Sequence, residues 1–124
     1  MNTAKKILIV DDDARNIFAL KATLQARGFI CLTATDAKEA KKLMIEHADI
    51  GLVLIDMMMP EIDGYEAILY LRATSGYNSI PMIAVTAQAM LGDREKCLAA
   101  GASDYVSKPI DIDKLMLVIE QYLA

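Results

Sequence analysis

Five short apolar segments recur along the chain at intervals of roughly 20–30 residues, and the stretches between them carry helical periodicity. The segments are residues 7–10, 29–34, 52–55, 82–85 and 105–106. Strands that alternate with helices pair in parallel through crossovers, so this spacing commits the chain to an α/β architecture. Between the first two segments, Ile17, Leu20 and Leu24 follow the i, i+3, i+7 spacing of a one-faced helix. Gly28 stops that helix where glycine carries no Cβ penalty. Asp36 followed by Glu39 opens a second helix with a capping-box pattern. A third begins near Gly64 and runs through Ile68 and Leu71 to about Ala73, with Gly76 soon after. A fourth ends at Gly101, and a fifth covers residues 111–123. No repeat, low-complexity tract or linker interrupts the pattern, so residues 1–124 read as one domain.

The segments also rank themselves within the sheet. Segments one, three and four are continuous apolar runs, as parallel strands covered on both faces require. Segment two is broken by Cys31 and Thr33, and segment five is short and flanked by Asp104 and Ser107. Strands 1, 3 and 4 at the centre with 2 and 5 at the edges give the order 2-1-3-4-5. That is a five-stranded parallel sheet of the flavodoxin-like (βα)5 type, with right-handed crossovers and helices on both faces.

Composition removes several uses of such a sheet. Thirteen Lys and Arg against seventeen Asp and Glu leave a net charge of −4. No basic stripe is available to neutralise phosphates, which argues against a direct nucleic-acid partner. The longest apolar runs are far shorter than the roughly 18 residues a membrane span needs. Met1-Asn2-Thr3-Ala4-Lys5-Lys6 leads straight into an apolar stretch too short for a signal peptide, so a soluble cytoplasmic protein with no membrane partner is expected. Cys31 and Cys97 match neither a C-x-x-C pair nor a zinc pattern and read as reduced, buried thiols. The single histidine, His47, lies near a helix end and excludes multi-histidine metal sites.

In an open α/β sheet, ligands bind beyond the carboxyl ends of the strands where the winding reverses, here between strands 1 and 3. Strand 1 ends in Asp11-Asp12-Asp13, strand 3 in Asp56, strand 4 in Thr86, and strand 5 in Lys108-Pro109. Carboxylates brought together raise one another's pKa unless a cation compensates. Hard oxygen ligands without His or Cys suit Mg²⁺, which keeps several waters and commonly recruits a phosphate oxygen. Thr86 could donate a hydrogen bond to that phosphate, and Lys108 could neutralise it as a point charge. Asp56 would then be a nucleophile forming an acyl phosphate, in chemistry that needs mostly positioning and charge stabilisation. Each residue alone has a plainer reading: Asp at a strand end is often a turn residue, and Asp13 reads as a helix N-cap. The coincidence of all four strand ends carries the site.

Four motifs together resemble response-regulator receiver domains. They are Asp11-Asp12 after an apolar strand, Asp56-Met57-Met58-Met59-Pro60-Glu61-Ile62-Asp63-Gly64, Val85-Thr86-Ala87, and Lys108-Pro109. The second matches the family's D-x-x-M-P-x-x-D-G signature, and the similarity covers about residues 5–123. Asn16 and the stretch from Thr86 to Asp93 are most similar to receivers of hybrid histidine kinases and phosphorelays. The resemblance implies a phosphoacceptor signalling domain of a two-component system or phosphorelay. Such a domain catalyses its own phosphorylation and dephosphorylation without separate substrate turnover. It implies that Asp56 accepts a phosphoryl group from a histidine kinase or histidine phosphotransfer protein. Mg²⁺ would be held by Asp12 and Asp56, by the Met58 backbone carbonyl, and by Asp11 mainly through water. Thr86 and Lys108 would contact the phosphoryl oxygens. Ala87 is small where that group enters, and its backbone N–H can help. Lys108-Pro109 is expected to be cis, Pro60 and Gly64 to shape the turn after the acceptor, and Tyr105 to turn inward as Thr86 moves toward phosphate. The fourth helix, fifth strand and fifth helix would face a downstream protein effector, the chain being a monomer or weak homodimer.

Two further expectations concern individual side chains. Met58 and Gln88 flank the path of water to the acyl phosphate, and an apolar Met58 cannot orient a hydrolytic water, so self-dephosphorylation should be slow. On the first helix Ala14, Arg15, Phe18 and Ala22 turn away from the core face. Phe18 there either docks the phosphodonor or packs against the fifth helix. Three other functions compete. A haloacid-dehalogenase-like phosphatase needs a second Asp two residues after the nucleophile, where Met58 stands. A nucleotide or flavin binder needs a glycine-rich phosphate loop that none of the six glycines forms. A pseudo-receiver that binds partners without accepting phosphate stays open, although Asp11, Asp12, Asp56, Thr86 and Lys108 are all retained.

Overall fold

Alternating strands and helices build a single parallel sheet in a computed structural model that describes residues 6–57, 64–73, 80–86, 93–108 and 110–123. The strands are β1 (Lys6–Val10), β2 (Ile30–Ala34), β3 (Ile50–Asp56), β4 (Met82–Thr86) and β5 (Asp104–Ser107). Between and after them come α1 (Ala14–Ala26), α2 (Ala37–Glu46), α3 (Gly64–Arg72), α4 (Asp93–Ala100) and α5 (Ile112–Leu123). The order is β2-β1-β3-β4-β5 with every pair parallel, as expected from the apolar runs. β4 is buried along its whole length, whereas β2 and β5 alternate buried with exposed or half-buried residues, as edges do.

Successive side chains point to opposite faces, so each central strand feeds two cores. Leu8, Val10, Val53, Ile55, Met82 and Ala84 pack under α2, α3 and α4. Ile7, Ile9, Leu52, Leu54 and Ile83 pack under α1 and α5. β3 starts two residues earlier than the apolar run suggested. Lys6 pairs with Ile50 and Ile7 with Leu52, so the ladder steps over Gly51, which broke the run.

The helix boundaries follow local chemistry. The Arg15 backbone N–H donates to Asp13 Oδ1 at 2.9 Å, the N-cap expected of Asp13. The Glu39 N–H donates to Asp36 Oδ1 at 2.8 Å, but Glu39 Oε1 accepts from the N–H of Thr35 at 2.7 Å, so the box closes one residue earlier than its usual form. α1 and α4 run out into Gly28 (φ +94°) and Gly101 (φ +118°). His47 caps the end of α2, with Nδ1 3.4 Å from Lys6 Nζ. Cys31 is a free, buried thiol, and the side chain of Cys97 lies outside those described. Among the described residues, no helix is long and apolar enough to cross a membrane.

Candidate functional site at the carboxyl edge of the sheet

Backbone hydrogen bonds extend the strand ends into the loops that carry the site. The Asp11 N–H donates to the Ala34 carbonyl at 3.0 Å, Met57 to Val85 at 2.9 Å, and Lys108 to Thr86 at 2.7 Å. These bonds fix where Asp11, Asp56, Thr86 and Lys108 leave the sheet. The consequence is one cluster: a carboxylate oxygen from each of Asp11, Asp12 and Asp56 lies within 4.8 Å of the others. Asp11 and Asp56 are only 7% and 5% exposed, whereas Asp12 is open to solvent.

Lys108 Nζ donates to Asp56 Oδ1 at 3.2 Å, supplying one ammonium against three carboxylates. The Asp13 N–H donates to Asp11 Oδ1 at 2.9 Å. Burial pushes the Asp11 carboxyl above its ordinary range. The Asp13 hydrogen bond pulls it back, the neighbouring Asp56 raises it, and Lys108 lowers it. Asp13 itself is held below the ordinary range, first by the Arg15 N–H. Among the described residues, no buried side-chain polar atom lacks a hydrogen-bond partner. With three carboxylates against one ammonium, this oxygen-rich, histidine-free set fits a hard divalent cation such as Mg²⁺.

Thr86 is buried at 5% exposure on the last position of β4. β4 pairs Ala84 with Tyr105 and Thr86 with Ser107, and Tyr105 packs half-buried on the α2/α3/α4 core. Alternation turns Thr86 toward that same face. Asp11, Asp56 and Lys108 instead line the α1/α5 side. The two groups meet only at the sheet edge. Met58, Pro60, Ala87, Gln88 and Pro109 lie outside the described residues, so the carbonyl, the turn, the entry position, the water path and the cis bond assigned to them stay with the sequence. Phe18 is 75% exposed on α1, so it is not packed into the core against α5. Sequence reasoning did not foresee that Lys108 would pair directly with Asp56, since their separation along the chain gives no local signal. The Asp13 N–H bond to Asp11 was missed as well, although the i, i+2 Asx pattern is a local signal that could have found it.

A family model described as the response regulator receiver domain matches residues 7–120. The polar-differentiation response regulator DivK of Brucella anthropi is 34% identical over 120 residues, covering 97% of each chain. The receiver domain of the sensor histidine kinase PA1611 from Pseudomonas aeruginosa was solved with a magnesium ion coordinated in its active-site cleft. It superposes with a TM-score of 0.86 at 31% identity over 98% of both chains. The Vibrio cholerae chemotaxis protein CheY4 gives 0.89 at 26% identity, covering 98% of this chain and 100% of its own. With its sheet order, its acidic edge and these relatives in agreement, the chain belongs to the response-regulator receiver family, the signalling domains of two-component and phosphorelay systems.

Proposed function

We propose that Asp56 is the phosphoacceptor of this domain, and that residues 1–124 act as one unit taking a phosphoryl group from a histidine on a kinase or phosphotransfer protein in the cytoplasm. The observation that carries this reading is the buried Asp56 carboxylate, ion-paired to Lys108 at 3.2 Å within a cluster of three carboxylates. In the transfer, an Asp56 carboxylate oxygen forms a bond to phosphorus as the bond from phosphorus to the donor's imidazole nitrogen breaks. The imidazole leaves with the electron pair and takes up a proton. Lys108 moves its ammonium from the Asp56 carboxylate to the incoming phosphoryl oxygens, and Thr86 donates its hydroxyl to another. Asp11, Asp12 and Asp56, with the Met58 carbonyl, would hold Mg²⁺, which neutralises charge shared by the carboxylates and the phosphoryl group. Ala87 leaves room for that group beside Thr86. The domain thereby catalyses its own phosphorylation, and apolar Met58 keeps hydrolysis slow. Met58→Asn should shorten the phosphoryl lifetime, and an equal or longer lifetime would remove that role.

Movement of Thr86 toward phosphate would draw Tyr105 inward on the face they share, altering the α4–β5–α5 surface for a downstream effector. Exposed Phe18, beside the site on α1, supports a docking role toward the phosphodonor protein. Phe18→Ala should still accept phosphate from a small donor while losing transfer from its histidine-bearing partner.

The test is intact-mass analysis after incubation with acetyl phosphate, with and without Mg²⁺, on wild type and Asp56→Asn. One Mg²⁺-dependent phosphoryl adduct, absent from Asp56→Asn, is expected. No adduct despite Mg²⁺ binding would favour a pseudo-receiver.

A further inference from the structure

α2 buries Ala37, Ala40 and Met44 against the sheet and turns a second stripe outward. Lys38, Lys41, Lys42 and Ile45 stand at i, i+3, i+4 and i+7, so they share one face, and they line a shallow surface depression with Glu46. Lys38 and Lys42 are exposed, and Ile45 is 59% exposed. On the neighbouring α3, the Tyr70 ring centre lies 5.0 Å from Lys41 Nζ, which carries the face across from one helix to the next.

A face that is merely solvated does not need this arrangement, and the helix is worse for it. Lys38 stands in the first turn, where the helix dipole disfavours a cation, and Lys38 and Lys42 repel at i, i+4. Among the described residues, none of the three lysines is in an ion pair. Glu39, which could have offset them, is turned back to the Thr35 N–H at 2.7 Å. The clustering also runs against the chain as a whole, with its seventeen acidic and thirteen basic residues. Local choices that work against their own element mark surfaces kept for something other than folding.

We propose that this face of α2, together with Tyr70 of α3, docks an acidic amphipathic helix of a partner protein. Lys38 to Ile45 spans about 10 Å, two helical turns, so a helix with carboxylates repeating at i, i+4 sets them against the lysines and an apolar side chain over Ile45. An anionic bilayer matches less well. It is a plane that would also meet Glu39 and Glu46 on a chain of net charge −4, whereas a single helix is no wider than the lysine stripe. α2 packs on the sheet face opposite α1 and α5, so the surface is separate from exposed Phe18, and docking there needs no phosphoryl group.

The probe is an acetylated and amidated peptide of four Glu-Ala-Leu-Glu repeats, titrated at low salt into the full chain and followed in amide spectra. Expected are saturable shifts concentrated on residues 37–46 and around Tyr70, and none with the peptide in which Lys replaces every Glu. Ile45→Ala should weaken binding about threefold and Lys38→Glu about tenfold. Lys38→Glu also removes the conflicts with the dipole and with Lys42, so its urea midpoint should lie at or above that of wild type, which separates docking from folding. Absence of saturable shifts, shifts centred on another face, equal binding of the lysine peptide, or an unchanged Kd in Lys38→Glu would each overturn the proposal. A urea midpoint lowered by Lys38→Glu would assign the lysines to the fold instead. Adsorption of the wild type to phosphatidylserine vesicles, abolished by Lys38→Glu, would assign the face to a membrane.

Discussion

Asp11 places a carboxyl group at 7% exposure beside a second buried carboxylate, so ionising it works against the fold unless a cation is present. Its folded pKa lies above the ordinary 3.8, with burial as the leading cause. A group raised in this way contributes fully at low pH, where it is protonated, and loses that contribution as pH rises through the folded value. Asn at this position keeps an oxygen for the Asp13 N–H, bonded at 2.9 Å, without the charge. Asp11→Asn should thus have a higher urea midpoint than wild type at pH 7 in chelator, with the advantage vanishing below about pH 3.8. A midpoint at or below wild type at pH 7 would show that Lys108 already compensates the charge. The thiol of Cys31 gives a second prediction at this scale. Burial raises its pKa as well, so Cys31 should resist iodoacetamide in the native protein and react on unfolding, read by peptide mapping. The positions of Asp11, Asp56, Thr86 and Lys108 were legible in sequence because each closes an apolar run. The depth of Asp11 and its coupling to Asp56 were not, because they depend on how two strands approach.

Among the elements, α3 and α4 are joined by a contact that no local pattern announces. Arg72, at the end of α3, donates from Nε to the Gly101 carbonyl at 2.8 Å and from Nη2 to Ser103 Oγ at 3.2 Å. Its Nη1 donates to the Ile80 carbonyl. Ser103 in turn accepts from the Met82 N–H through its hydroxyl and from the Tyr122 hydroxyl of α5 through its carbonyl, so the cluster ties both helical layers together at the amino edge. The caps at Asp13 and Asp36 and the stops at Gly28 and Gly101 could be read from sequence because their partners lie within a turn or two. Arg72 could not, because Gly101 and Ser103 lie 29 and 31 residues away. The two glycines separate backbone from packing effects. A Cβ at Gly28 meets nothing within 4 Å, whereas at Gly101 it would lie 3.1 Å from Arg72 Cγ and 3.3 Å from Ile68 Cγ2. Gly28→Ala should cost about 1–2 kcal/mol for the positive φ alone. Gly101→Ala should cost at least about 1 kcal/mol more, since Arg72 must shift while bonded. Equal costs in urea titrations would mean that the Arg72 side chain yields freely.

Across the whole molecule the two ends of the sheet are electrostatically unlike. The amino edge is satisfied, with Arg72 among carbonyls and Lys6 Nζ 3.1 Å from Asp49 Oδ2. The carboxyl edge gathers three carboxylates around one ammonium. A fold that concentrates unfavourable charge at one end should be stabilised by any cation that binds there in the native state alone. At ten times its Kd, Mg²⁺ should raise the unfolding free energy by about 1.4 kcal/mol. In a domain of this size that is roughly 5 °C in Tm. Raising NaCl to the same ionic strength should give much less, because screening acts weakly on groups as buried as Asp11 and Asp56. The Mg²⁺ and Asp11→Asn effects draw on the same repulsion, so they should not add. In Asp11→Asn the Mg²⁺ increment should fall to less than half that of wild type, because the variant has already lost both the repulsion and a carboxylate near the ion. Thermal melts of the two proteins across a Mg²⁺ series measure this coupling directly. Full additivity would place the stabilising cation away from Asp11.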